Sequence, residues 1–313
     1  MARESLIGLK DSNGFHGAKL SSGLKGNLLW RARKMAYCSV NNIRIYYEVS
    51  GEGFPLLFIH ANPFDHRLWL YQIASFSTFF KVIAVDLRGY GHSDKPTSPT
   101  SLAMMASDVL GVCRQEEIKE AIVAGISVGG NVALQLGLDR PNIFKALILV
   151  GCSSGPSDHQ TRIDGYEKHG INHYHIEHLR ALLSPEFSRA PLGKYLVGLF
   201  TDTDPMLNSE SLKKIFEALE IKNLTPRLSE LGMPVLTLSG EFDGTLTRTR
   251  EMSQRIRGAT HQIIPGVGHA CCLENATVFR EVREDHSQAR LDVLEELVRQ
   301  GIVMAQARLI GDE

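Results

Sequence analysis

Ser127 lies in the sequence Gly125-Ile126-Ser127-Val128-Gly129, between a run of apolar residues and a segment with helical spacing. A G-x-S-x-G sequence at such a junction predicts a sharp strand-to-helix turn that holds the serine in a strained backbone conformation. A side chain two positions before or after the serine would collide with that turn, so glycine is expected there. The start of the following helix favours developing negative charge. Ser127 is therefore the candidate nucleophile.

A serine becomes an effective nucleophile only when a base accepts its proton. His269, in a loop after the last apolar run, is the best placed of the twelve histidines. Such a base needs a carboxylate that fixes its tautomer. Asp243 and Glu241 both follow the apolar run 234–239, and we favour Asp243 because the chain must turn after that run. The order Ser…Asp…His predicts a catalytic triad of Ser127, Asp243 and His269.

The remaining reactive side chains favour structural interpretations. His169 and His173 have the i,i+4 spacing that suits a metal ion on one helix face, but only Glu177 is available to complete a site. We therefore predict a solvated or pocket-lining histidine face, which includes His175 and His178, and no metal. No disulfide is expected among the cysteines, whose odd number and irregular spacing show no zinc pattern: Cys38, Cys113, Cys152, Cys271 and Cys272.

Alternating strands and helices must position these residues. Apolar runs predict strands at 43–49, 55–60, 81–86, 120–126, 144–150, 234–239 and 261–264. Helical spacing occurs at 67–76, 101–114, 128–139 and near 246–257. This alternation predicts right-handed βαβ crossovers and a doubly wound, mostly parallel α/β sheet.

Residues 152–230 interrupt the alternation, since they contain helical patches and no convincing buried strand. We expect them to form a helical cap over the carboxyl ends of the strands, where open α/β sheets bind ligands. The core would then comprise 35–151 and 231–313. Apolar residues from Leu291 to Leu309 predict a long C-terminal helix, which could pack on the core or against another subunit.

Two loops complete a recognisable set of motifs. The sequence His60-Ala-Asn62-Pro63 is similar to a His-Gly-x-Pro loop, and Asp86-Leu-Arg-Gly-Tyr-Gly-His-Ser93 matches a D-x-R-G-x-G-x-S loop. With the serine turn, the acid and the base, they make residues 40–280 resemble the α/β-hydrolase family. The nucleophile is a serine, and family members that cleave carbon–halogen bonds or epoxides carry an aspartate there, so those activities are disfavoured.

The resemblance implies that the backbone amides of Asn62 and Val128 form an oxyanion hole, although Ala61 replaces the usual glycine. One such donor is typically worth about 3–4 kcal/mol of transition-state stabilisation. We expect Asp86 and Arg88 to be a structural pair that fixes its loop.

The function implied by the resemblance is two-step hydrolysis of a small-molecule ester or lactone through an acyl-enzyme, with no cofactor. Carbon–carbon bond hydrolysis, thioester hydrolysis and acyl transfer use the same triad and remain open. A ligand receptor that keeps the fold with little turnover is the non-enzymatic alternative, and loss of a triad residue would favour it.

Composition limits the partners of the chain. Its 313 residues carry a formal net charge of -1, which argues against a nucleic-acid partner. No apolar run approaches the roughly 18 residues of a membrane span. Together with the resemblance, these features lead us to expect a cytoplasmic enzyme, monomer or homodimer, that acts on a small molecule. Residues 1–34 are basic with little apolar periodicity, which favours a disordered extension or a natural start at Met35; a transit peptide stays open.

Overall fold

The computed structural model describes residues 33–276, and a twisted sheet forms its centre. The strands are β1 (Lys34–Val40), β2 (Ile43–Ser50), β3 (Phe54–Ile59), β4 (Phe80–Val85), β5 (Ala121–Ile126), β6 (Phe144–Val150), β7 (Val235–Gly240) and β8 (Thr260–Ile264). They lie in the order β1-β2-β4-β3-β5-β6-β7-β8. The β1–β2 and β2–β4 pairs are antiparallel and all other pairs are parallel. The predicted doubly wound, mostly parallel α/β sheet is confirmed.

Helices connect these strands. They are α1 (Leu70–Phe76), α2 (Leu102–Gln115), α3 (Val128–Asp139), α4 (Gln160–His169), α5 (Ile171–Ala181), α6 (Pro185–Arg189), α7 (Pro191–Thr201), α8 (Ser209–Glu220), α9 (Leu246–Gln254) and α10 (Cys271–Glu274). Strand β5 is buried on both faces, because its alternate residues point to opposite sides of the sheet. Val123 packs in one apolar cluster with residues of α2 and α3, and Ile122 packs in another with residues of α1 and α10.

Two predicted segments agree with the structure to the residue. Helix α3 and strand β6 have the predicted bounds. The segment predicted as one helix over 67–76 is divided into a 3₁₀ turn at His66–Trp69 and α1. Asp65 caps that turn, since its carboxylate accepts a hydrogen bond from the Arg67 amide at 2.9 Å.

Strand β1 was not expected from the sequence, and it begins at Lys34, inside the segment expected to be an extension. Lys34 Nζ lies 2.5 Å from Glu116 Oε1, and Arg33 pairs with Glu48. Only Cys38 of this edge strand is buried, so its apolar signal is weak. The rest of the expected extension, 1–32, and the predicted C-terminal helix lie outside the described residues.

Residues 152–230, called the insert below, connect β6 to β7 through helices α4–α8 and 3₁₀ turns at Asp204–Met206 and Thr225–Glu230. Phe216 of the insert joins the apolar cluster of α2 and α3, whereas Phe200 joins the cluster of α1 and α10. Between residues 33 and 276, no helix combines the length and apolar character that crossing a membrane requires.

Candidate active site

Ser127 lies between the end of β5 and the first residue of α3, with φ 56° and ψ −118°. This backbone conformation is strained for a residue with a side chain. A Cβ at Gly125 would lie 2.1 Å from the Gly129 carbonyl oxygen, and one at Gly129 would lie 2.2 Å from the Ile59 carbonyl oxygen. The two glycines therefore let α3 begin directly against β5 and β3. The structure places Ser127 in the turn that the sequence predicts.

Asp243 and His269 meet in the loops that follow β7 and β8. His269 Nδ1 lies 2.9 Å from Asp243 Oδ1, and both side chains are buried. The same Oδ1 accepts hydrogen bonds from the amide and hydroxyl of Thr245, at 2.7 and 2.8 Å. Burial acts to raise the pKa of the Asp243 carboxyl, but His269 and these hydrogen bonds outweigh it and hold the pKa below its ordinary value. An ionised Asp243 only accepts, so His269 Nδ1 carries the proton between them.

Glu241, the alternative acid, has a different partner. Its side chain is exposed, and Oε2 accepts a hydrogen bond from the Gly266 amide at 2.8 Å. Glu241 therefore ties the end of β7 to the loop after β8, and the structure brings Asp243 to His269 instead.

Gly151 connects the serine to the acid–base pair. The Ser127 amide donates to the Val150 carbonyl at 2.8 Å, and Gly151 follows with φ +50°. A Cβ at Gly151 would lie 2.6 Å from Asp243 Oδ2 and 2.8 Å from His269 Cε1. Ser127 and His269 thus flank the same backbone at the carboxyl end of β6. In the described structure no hydrogen bond joins the Ser127 hydroxyl to His269; such bonds often tighten only with substrate bound.

The His269 loop is fastened by Glu274, in α10. Its Oε1 accepts from the Gly268 amide at 2.8 Å, and its Oε2 accepts from the Ser184 amide of the insert at 3.0 Å. The Ala270 amide donates to the Leu182 carbonyl at 3.0 Å. The insert therefore binds the backbone after His269 directly, and it binds the backbone before His269 through Glu274.

The loop that contains Asn62 is fixed by buried polar contacts. The Leu87 amide donates to His60 Nε2 at 3.0 Å, so His60 Nδ1 bears the proton and donates to the Ala61 carbonyl at 2.8 Å. The Tyr90 hydroxyl donates to Asn62 Oδ1 at 2.7 Å. Val128 is the first residue of α3, where an amide has no acceptor within the helix.

The expected pairing of Asp86 with Arg88 is wrong, although both residues do fix the loop. Arg88 pairs with Asp108 of α2, with Nε 2.6 Å from Oδ2. Asp86 Oδ1 lies 2.8 Å from His66 Nδ1, and Asp86 Oδ2 accepts a hydrogen bond from the His92 amide. Two residues apart in a loop, the two side chains point to different neighbours.

His66 lies in a cluster of acidic side chains that has the residue types of a metal site. Asp65, His66 and Asp86 are the group in residues 33–276 whose side chains lie close enough to share an ion. Burial opposes protonation of His66, but Asp86, Glu48 and Asp65 outweigh it and raise the pKa of His66 to about 10. Glu48 Oε1 lies 3.0 Å from Nε2. The raised pKa favours the imidazolium, in which both ring nitrogens donate to carboxylates.

The histidines of the insert separate into two kinds. His169 and His173 have ring centroids 5.8 Å apart and exposed side chains, and His173 lies 3.5 Å from Glu177. His175 and His178 are buried. Sequence reasoning assigned no partner to the buried pair, and it also missed the roles of Gly151, Glu274 and Tyr90, because each acts through contacts distant in sequence.

The doubly wound sheet, with a serine at a sharp strand–helix turn, defines the class as an α/β protein. The family model for the alpha/beta hydrolase fold matches residues 55–276. The chain belongs to this family.

Known proteins resemble the chain along most of its length. It is similar to a pimeloyl-[acyl-carrier protein] methyl ester esterase of Proteus mirabilis, 28% identical over 66% of this chain and 81% of the relative. The enol-lactonase of Burkholderia xenovorans LB400 shares the fold, with TM-score 0.73, 22% identity and coverage of 78% and 96%. The structure of Est816, described as an N-acyl homoserine lactone degrading enzyme, has TM-score 0.69, 26% identity and coverage of 79% and 98%.

Proposed function

We propose that this chain is a serine hydrolase that cleaves a small-molecule ester or lactone through an acyl-enzyme. Ser127 attacks the carbonyl carbon while His269 accepts its proton. The oxyanion binds to the amides of Asn62 and Val128. His269 then protonates the leaving alkoxide, and a water activated by His269 releases the acid and regenerates the serine.

The observation that carries the proposal is the buried Asp243–His269 pair packed against Gly151. That glycine follows Val150, whose carbonyl accepts a hydrogen bond from the Ser127 amide. A serine in a strained turn, a histidine and an ionised carboxylate at the carboxyl ends of parallel strands of one sheet are what acyl transfer requires. The carboxylate stabilises the imidazolium that forms in each step.

The substrate class is supported by relatives rather than by the triad, because the same machinery performs many reactions. One relative is named a methyl ester esterase, and Est816 is described as degrading a lactone. Both bonds present an acyl carbon to a serine nucleophile.

We further propose that the insert is a helical cap. Support comes from its contacts near the site: the Leu182 carbonyl accepts from the Ala270 amide, and the Ser184 amide donates to Glu274, which binds the Gly268 amide. Apolar side chains of the insert also enclose a small cavity with Phe64, which lies two residues after Asn62: Leu179, Leu183, Leu196, Val197 and Phe200, with Leu273 of α10. These side chains pack the insert against the loop that follows Asn62.

The test is turnover of p-nitrophenyl esters of increasing chain length, with lactones and thioesters beside them, by wild type and Ser127→Ala. The variant should fold and lose roughly 10³-fold or more of kcat. A serine-reactive phosphonate should label wild type at Ser127. A folded variant that keeps a tenth of wild-type turnover would refute the triad. Labelling without turnover of any of these substrates would favour the receptor.

A further inference from the structure

His175 is a buried histidine of α5 that reaches the loop carrying Asn62. Its side chain is 0% exposed. Nδ1 is hydrogen-bonded to the carboxylate of Asp204, in the 3₁₀ turn Asp204–Met206, and Nε2 lies 3.1 Å from the Pro63 carbonyl oxygen. The ring thus bridges two parts of the insert and one loop of the core.

The direction of these hydrogen bonds is fixed by the acceptors. The Pro63 carbonyl can only accept, so His175 Nε2 must carry a proton. One proton also lies between Nδ1 and the Asp204 carboxyl. Asp204 therefore keeps the ring oriented with its Nε2–H toward Pro63, as Asp243 orients His269.

The loop from His60 to Phe64 is held from two sides. Core residues hold its first half, through His60 to the Ala61 carbonyl and through Tyr90 to Asn62. The insert holds its second half, where His175 binds the Pro63 carbonyl and Phe200 packs edge-on against Phe64 with centroids 4.8 Å apart. Pro63 directly follows Asn62, so moving the Pro63 carbonyl also moves the adjoining backbone of Asn62, including its amide.

We propose that His175 and Asp204 form a positioning pair for the oxyanion hole, through which the insert sets the place of the Asn62 amide. The inference rests on the proposed function, in which that amide binds the oxyanion. Loss of an oxyanion donor costs about 10²–10³ in kcat, and a misplacement of about 1 Å about 10². Removing the hydrogen bond from His175 to the Pro63 carbonyl should therefore lower kcat by about 10- to 100-fold and leave KM nearly unchanged.

Two substitutions separate the two ends of the ring. The amide nitrogen of His175→Asn stands near Nδ1 and can still reach Asp204, but not Pro63. The amide nitrogen of His175→Gln stands near Nε2 and can still donate to Pro63. We expect the Asn variant to lose 10- to 100-fold in kcat, and the Gln variant to stay within about threefold of wild type. His173→Asn, on the exposed face of the same helix, is the matched control and should match wild type.

Two readouts decide the inference: kcat and KM on one activated ester, and hydrogen exchange of the Phe64 amide, which donates to the Ala61 carbonyl at 2.9 Å. That amide should exchange faster in the Asn variant than in the control. Wild-type kcat in the Asn variant, equal losses in the Asn and Gln variants, or unchanged exchange would each overturn the proposal. If wild type shows neither turnover nor Ser127 labelling, the proposed function fails, and the exchange result still decides whether His175 holds the loop.

Discussion

Replacing Asp243 by asparagine removes a charge from the site without forcing the wrong tautomer on His269. Three donors converge on Asp243 Oδ1: the Thr245 amide, the Thr245 hydroxyl and His269 Nδ1. An asparagine at this position must therefore direct its carbonyl oxygen at them. Its NH₂ group takes the place of Oδ2, which is buried without a hydrogen-bond partner among the described residues. His269 keeps its proton on Nδ1.

The expected loss is then the electrostatic stabilisation of the imidazolium. Two unit charges about 4 Å apart interact by about 4 kcal/mol at an effective dielectric constant near 20. Since each 1.36 kcal/mol changes a rate tenfold, Asp243→Asn should lower kcat by about 10³-fold. The unpaired NH₂ group should also reduce the free energy of unfolding by about 1–3 kcal/mol.

The assay is kcat on one activated ester, measured after circular dichroism has shown that each variant is folded. Glu241→Gln is the matched control, because that exposed carboxylate contacts the Gly266 amide and not His269. It should lose well under tenfold. If Glu241→Gln loses 10²-fold while Asp243→Asn stays within tenfold, the assignment of Asp243 is wrong, although Ser127 and His269 would keep their roles.

Two further predictions concern stability. Gly125→Ala should unfold far more easily than wild type, because its Cβ would lie 2.1 Å from the Gly129 carbonyl oxygen, whereas Gly198→Ala, with open space around it in α7, should gain about 0.5–1 kcal/mol in urea unfolding. Equal stability of the two variants would contradict this. The pKa of His66 is raised from 6.5 to about 10, so its stabilising contribution is complete below pH 6.5 and is lost as pH rises through 10. The difference in unfolding free energy between wild type and His66→Gln should shrink across that window; a constant difference would refute the imidazolium assignment.

The sequence predicted the parts of the fold whose signal is local. β6 is buried along most of its length, and α3 follows a glycine turn, so their bounds could be predicted to the residue. β1 could not, because an edge strand with one buried side chain has no apolar run. The 3₁₀ turn before α1 depends on the Asp65 cap, which helical spacing does not reveal.

The candidate site also contains features that a local motif predicts and features that depend on contacts distant in sequence. The turn at Ser127 is a local motif, so its position was predictable. The partner of Arg88 was not predictable. Asp86 is only two residues away in sequence, but folding brings Asp108 of α2 to the guanidinium. Asp204 and His175 are 29 residues apart, and their pairing depends on how the insert folds back on itself. Such contacts are set by packing and leave no periodic signal.

The valences of the buried histidines give an independent reason for choosing His269 as the base. His60 and His178 each accept a hydrogen bond at Nε2 and donate one from Nδ1, and His66 and His175 each donate to acceptors from both nitrogens. A ring with both nitrogens occupied cannot take a proton from a serine without breaking a buried hydrogen bond. His269 is also buried, but in the described structure its Nδ1 has a hydrogen-bond partner and its Nε2 has none. Nε2 is therefore available to accept the serine proton. Position in sequence and hydrogen-bond valence therefore lead to the same residue by separate arguments.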